Sequence, residues 1–155
     1  MLKRGRELNT ISLTKESSST AETEACGREL AKSLTAGDVV LLYGDLGAGK
    51  SVFARGIIQA LPGGENRIVR SPTYVYIQHH LTVPPVNHAD LYRLPMNAAP
   101  EDIGLDEWGD SKSLLIIEWA ERLSNRDLSP RTEVFIEIVD ENHRTIQIRK
   151  CEDTN

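Results

Sequence analysis

The run Gly44-Asp45-Leu46-Gly47-Ala48-Gly49-Lys50-Ser51 has glycines, a lysine and a hydroxyl at the G-x-x-x-x-G-K-[ST] spacing of a P-loop. The chemistry this implies is the gripping of a nucleotide's phosphates. Glycines let the backbone curl until successive N–H groups converge on a phosphate oxygen. Lys50 supplies a mobile ammonium for the outer phosphates, and the Ser51 hydroxyl can ligate Mg²⁺. A helix opening at Lys50 would add the partial positive charge of its N-terminus. All eight residues are therefore candidate nucleotide contacts, with Lys50 also a candidate catalytic group.

Such a site also needs a carboxylate near the metal, usually where a buried strand beside the P-loop strand ends. Two residues qualify. Glu118 closes the apolar run Leu114-Leu115-Ile116-Ile117, whereas Asp90 follows the more polar Val86-Asn87-His88-Ala89, just after Pro84-Pro85. The hydrophobic strand favours Glu118 as the metal ligand and leaves Asp90 to support it or to orient water. Ser71-Pro72-Thr73 occupies the stretch after the P-loop helix, where many P-loop proteins sense the γ-phosphate, although by itself such a turn reads as ordinary loop. His79 and His80 would point to opposite faces of a strand, so chelation together with His88 is not expected. Trp108 and Trp119 read as core or interface residues rather than nucleotide stackers. Arg122, Arg126 and Arg131 read as a solvated basic face or, failing that, a docking surface.

The elements that must position these groups follow from local patterns. Val39-Val40-Leu41-Leu42-Tyr43 is apolar throughout, as a strand buried on both faces of a parallel sheet should be. It runs straight into the P-loop, a helix pattern begins at Lys50, and Val52–Leu61 has helical spacing until Pro62-Gly63-Gly64 stops it. Upstream, Ser19 and Glu22 have capping-box spacing, which predicts a helix from about Ala21 to Ala36-Gly37. Tyr74–His80 alternates weakly like a strand, a short segment follows around Asn87–Tyr92, and Pro100-Glu101-Asp102 resembles a helix start. Val134, Ile136 and Ile138 alternate with polar residues, Asp140-Glu141-Asn142 turns, and Ile146 and Ile148 alternate back as a hairpin. Strands interleaved with helices predict an α/β fold. We expect a P-loop NTPase-like mixed, mostly parallel sheet flanked by helices, ending in a C-terminal β-hairpin.

With 155 residues, 39% hydrophobic and 26% charged, the chain fits a single folded domain over residues 1–155. Residues 1–10 read as a flexible arm and 150–155 as a flexible tail. Eighteen basic against 23 acidic side chains leave a net charge of −5, which argues against a protein that grips a phosphate backbone directly. Cys26 and Cys151 form no CxxC and have no histidine at zinc-ligand spacing, so they read as reduced thiols. The longest apolar runs fall far short of the ~20 residues a membrane span needs, and no signal-peptide core follows the basic start. The expectation is a cytoplasmic protein with no membrane contact.

Taken in order, Gly44–Ser51, Ser71-Pro72-Thr73-Tyr74, His88-Ala89-Asp90-Leu91-Tyr92-Arg93, Gly104-Leu105-Asp106-Glu107 and Glu118-Trp119 resemble the TsaE (YjeE) family. That family comprises the small P-loop ATPases of bacterial tRNA threonylcarbamoyladenosine synthesis. The resemblance spans roughly residues 12–140; Ser51 stands where the family commonly has threonine, and the tail from about Asp140 matches no diagnostic motif. It implies ATP at the P-loop, Mg²⁺ held by Ser51 and Glu118, and switch-like behaviour of Ser71–Thr73 and Asp90–Arg93, with Thr73 among the nucleotide contacts. It also implies weak hydrolysis in isolation and two partners, a TsaD-like transferase and a TsaB-like scaffold, so that tRNA is met only through the complex. The chief rival is a small P-loop kinase acting on a small-molecule or nucleotide acceptor. A GTPase is disfavoured because no Asn-Lys-x-Asp or Thr-Lys-x-Asp is present to read guanine. A nucleotide-gated adaptor that never hydrolyses would retain the same motifs.

Overall fold

The computed structural model describes residues 8–69, 77–97, 104, 109–123 and 130–153. In chain order the elements are β1 (Leu8–Ser17), α1 (Thr20–Ala31), β2 (Val39–Tyr43), α2 (Lys50–Ala60), β3 (Ile77–His80), β4 (Val86–Asp90), β5 (Leu114–Glu118), a 3₁₀ turn (Ala120–Arg122), β6 (Arg131–Ile138) and β7 (Arg144–Asp153). The strands form one seven-stranded sheet in the order β1-β7-β6-β2-β5-β4-β3. Its centre, β6-β2-β5-β4, is parallel. Antiparallel strands flank that centre, β7 and β1 on one side and β3 on the other. This is the mixed α/β architecture with a C-terminal hairpin that the sequence predicts.

β2 and β5 are buried along nearly their whole length, as interior parallel strands must be. Val40, Leu42, Val86, Leu114, Ile116, Val134 and Ile146 face α1 and α2 across the main core. The opposite face carries a smaller cluster of Val39, Leu41, Ala89, Leu91, Leu115 and Ile117, closed by Ala120 and Leu123 of the 3₁₀ segment. Both described α-helices lie on the first face. β4 is fully buried although Asn87, His88 and Asp90 are polar, because it lies between β3 and β5 rather than at an edge.

α1 starts where predicted. The Ser19 Oγ accepts the Glu22 N–H at 3.1 Å, while the Glu22 carboxylate reaches back to the Ser18 N–H at 2.6 Å, one residue earlier than in a standard capping box. The helix ends at Ala31, sooner than its apolar spacing suggests. Ser33 donates to the Leu30 carbonyl and Asp38 accepts from the Thr35 N–H, so local side-chain bonds replace the next helical turn.

α1 and α2 cross at glycine. A methyl group on Gly56 would lie 2.1 Å from the Glu24 carbonyl oxygen, and one on Gly27 would lie 2.2 Å from that of Phe53. The Arg55–Glu24 ion pair ties the same crossing at 2.9 Å. In an isolated helix Gly→Ala is worth up to ~1 kcal/mol of added stability. Here the sign reverses, because the helices must part. Gly56→Ala is expected to cost about 1–3 kcal/mol, read as a lower urea midpoint at unchanged slope.

Two expectations about the termini are corrected. Residues 8–10, assigned to a flexible arm, begin β1, and residues 150–153, assigned to a tail, complete β7; the two strands pair from Leu8↔Asp153 to Ser17↔Arg144. Alternation over Thr10-Ile11-Ser12-Leu13-Thr14 carried the signal, but it is faint because β1 is an edge strand. Ile11 and Leu13 stay 63% and 50% exposed. Among the described residues no helix is long and apolar enough to cross a membrane.

Candidate functional site

Gly44–Gly49 link the end of β2 to the first turn of α2, as the motif requires. Gly49 holds φ 110°, a left-handed conformation open to glycine, and hands the chain to the helix at Lys50. The Lys50 ammonium donates to the carbonyls of Gly44 and Asp45 and lies 4.0 Å from the centre of the Trp119 ring. Burial pushes its pKa below the usual lysine range, against the opposing pull of Glu118, Glu121, Asp90 and Asp45.

Parallel pairing sets Asp90 beside Glu118 at the strand ends nearest the loop, with Glu118 next to Leu42 of β2. The Ser51 Oγ donates to Glu118 Oε1 at 2.7 Å, and His88 Nε2 lies 2.6 Å from Glu118 Oε2. Asp90 accepts the Tyr92 N–H at 2.9 Å. Ser51, Asp90 and Glu118 line a cavity of about 400 Å³ together with Lys50, Tyr92 and Trp119. A hydroxyl and carboxylates are hard oxygen donors of the kind Mg²⁺ takes, and Mg²⁺ usually completes its shell with water and phosphate rather than with more protein. The residues present therefore fit that ion.

A second cavity, of about 180 Å³, adjoins the other side of the loop between Ser18–Thr20, Thr23 and Arg144. The Arg144 guanidinium donates to the carbonyls of Ala48 and Gly47 and to those of Asp140 and Glu141, and so staples the P-loop to the β6–β7 turn.

Lys50, Ser51, Asp90, Glu118 and the glycine loop thus meet at one place. Thr73, with Ser71 and Pro72, lies outside the described residues, as do Pro100–Asp102, Trp108 and Arg126. Trp119 packs against the smaller core cluster, as a core residue should, and also forms a wall of the cavity, under Lys50 and 5.0 Å from the Tyr92 ring. Arg122 packs 5.8 Å from the same indole, and Arg131 pairs with Glu133 at 2.9 Å. The three histidines diverge. His79 bonds Asn87, His88 meets Glu118, and His80 is buried with its ring centre 6.4 Å from that of His88.

A family model described as "Threonylcarbamoyl adenosine biosynthesis protein TsaE" matches residues 17–148. The chain belongs to the TsaE family. A Rickettsia felis protein named tRNA threonylcarbamoyladenosine biosynthesis protein TsaE is 40% identical over 128 residues, 82% of this chain and 74% of that relative. A Bacillus subtilis protein of the same name is 36% identical over 126 residues, 81% of this chain and 77% of that one. Among solved structures, the crystal structure of Bacillus subtilis YdiB superposes with a TM-score of 0.74 at 30% identity, covering 92% of this chain and 87% of that one. In this TsaE chain, the cavity residues Tyr92 and Trp119 lie in the family motifs around Asp90 and Glu118, whereas the staple Arg144 was not singled out at all. Arg144 had no motif to mark it.

His80 gives the fold a pH dependence. Burial, aided by His88, Arg67 and His79, pushes its pKa down to about 4 from the ordinary 6.5. Below pH 6.5 the unfolded chain therefore binds a proton that the folded chain refuses until near pH 4, so stability falls as pH drops through that window. Between pH 7 and 5 the loss from this group is about 2 kcal/mol. Urea denaturation at the two pH values should show His80→Leu losing correspondingly less stability than the unaltered chain.

Proposed function

We propose that this chain is an ATP-binding, slowly hydrolysing component of tRNA threonylcarbamoyladenosine synthesis that docks on a TsaD-like transferase and TsaB-like scaffold and resets them between turnovers. The observation that carries this reading is the 2.7 Å contact between Ser51 and Glu118 at the mouth of the P-loop cavity, which joins the two metal-binding positions of a P-loop ATPase. The loop amides and Lys50 would hold the β- and γ-phosphates, the Lys50 ammonium leaving the Gly44 and Asp45 carbonyls to do so. Ser51 and Glu118 hold Mg²⁺, which when bound neutralises charge on the phosphates. Asp90 or a group supplied by the partner would orient the attacking water. Ser18–Thr20, which line the second cavity beside Gly47 and Gly49, are the residues that would hold the nucleoside end. Thr73 would be a further nucleotide contact, as the family resemblance implies. With a net charge of −5, the chain suits docking onto an enzyme better than gripping RNA.

P-loop proteins without a supplied arginine finger are slow by ~10³–10⁵, so a partner should accelerate turnover. The test is calorimetric titration of Mg·ATP into the chain, followed by phosphate-release kinetics with and without the purified transferase and scaffold. Binding alone and hydrolysis stimulated by the pair support the reading. Consumption of ATP that depends on a phosphorylatable small molecule instead would establish the kinase alternative, and absence of binding in every mixture would end both.

A further inference from the structure

We propose that His88 is the positioning residue for the metal-site carboxylate; this rests on the reading of Ser51 and Glu118 given above. β4 and β5 run in parallel register with His88 beside Ile116 and Asp90 beside Glu118, so residues 86, 88 and 90 share the helix-facing side with 114, 116 and 118. The His88 ring leans forward along the strand, and its far nitrogen, Nε2, reaches Glu118 Oε2 at 2.6 Å. The other carboxylate oxygen, Oε1, is the one that accepts from Ser51. An ionised carboxylate only accepts, so His88 is the donor and carries its proton on Nε2. Both side chains are out of water, at 0% and 2% exposure.

The rest of the ring gains nothing. Among the described residues, buried His88 Nδ1 has no hydrogen-bond partner, nor does Nε2 of the neighbouring His80. An orphaned buried polar atom costs stability, so an imidazole is a poor choice at position 88 if the role is packing. What it provides is one donor, at the reach of Nε2, that holds Oε2 and turns Oε1 toward Ser51 and the cavity. A partner of this kind behind a metal ligand is typically worth about 10–100-fold in metal affinity.

Side-chain length separates this role from simple packing. Glutamine places an amide nitrogen at the reach of Nε2, whereas asparagine stops at the reach of Nδ1. The experiment measures Mn²⁺ affinity by electron paramagnetic resonance on the nucleotide-loaded chain, and nucleotide affinity in EDTA by calorimetry. His88→Asn is expected to weaken Mn²⁺ binding by about tenfold or more while leaving metal-free nucleotide affinity within about twofold, and His88→Gln should restore most of the metal affinity. Retained Mn²⁺ affinity in His88→Asn, or equal loss with and without metal, overturns the proposal. In the unaltered chain, ¹⁵N imidazole spectra should show the Nε2–H tautomer at His88, a measurement that does not depend on either variant folding; an Nδ1–H tautomer overturns the assignment. If the unaltered chain binds nucleotide but no Mn²⁺, the metal reading of Ser51 and Glu118 fails, and the role of His88 with it.

Discussion

Lys50→Ala is expected to weaken Mg·ATP binding by about 10–100-fold and to abolish measurable turnover, while the fold survives. The magnitude follows from one charge-assisted contact to the phosphates, about 1.5–3 kcal/mol. Survival of the fold follows from the environment of the ammonium. It is buried and its pKa is lowered by that burial, so the native state already carries a desolvation cost that alanine removes. Against this, Gly44 and Asp45 lose a donor and Trp119 loses its cation contact. These effects oppose each other, and the urea midpoint should move by no more than about 1 kcal/mol of stability. Calorimetry with Mg·ATP beside denaturation of the same sample checks both halves. Unchanged affinity with lost turnover would contradict the phosphate-gripping role given to Lys50.

Glu118→Gln is expected to lower hydrolysis by about 100-fold or more with almost no loss of stability, whereas Glu118→Leu should lose both. Glutamine keeps an oxygen to accept from His88 Nε2 and an amide that can donate to the Ser51 hydroxyl, so the buried polar chain stays satisfied. It lacks the negative charge that Mg²⁺ requires. Leucine leaves the His88 N–H buried without an acceptor, a cost of about 1–3 kcal/mol. Phosphate release at saturating Mg²⁺, together with thermal and urea unfolding, separates the two variants. If Glu118→Gln hydrolyses ATP normally, the metal is held elsewhere, and Asp90 is the next carboxylate to test.

Much of the framework was legible because short-range patterns carried it. The unbroken apolar runs at Val39–Tyr43 and Leu114–Ile117 required strands buried on both faces, and the P-loop between a strand and a helix required a phosphate cradle. The alternating Val134, Ile136 and Ile138 pointed to the hairpin. β1 was missed because its apolar residues remain exposed and so leave a weak pattern. β4 was undervalued as polar, since its burial depends on β3 and β5 lying on either side of it rather than on its own composition. Trp119 packs on the core as expected, but its second place, in the cavity wall, was hidden for a related reason. Its position φ of 57° turns the chain sharply after Glu118 and sends the indole to the cavity, and nothing in the residue type announces that.

The sequence by itself determined which residues could grip a phosphate, where the cradle begins, and that a carboxylate at a buried strand end should serve it. Those features depend on contacts within a few positions along the chain, where residue type and spacing are enough. Only the tertiary structure decided that Glu118, 67 residues beyond Ser51, meets it at hydrogen-bond distance, that His88 stands behind that carboxylate, and that Arg144 ties the loop to the far hairpin. Such meetings are set by strand order and register, which arise from burying both faces of the whole sheet at once. No local pattern encodes them.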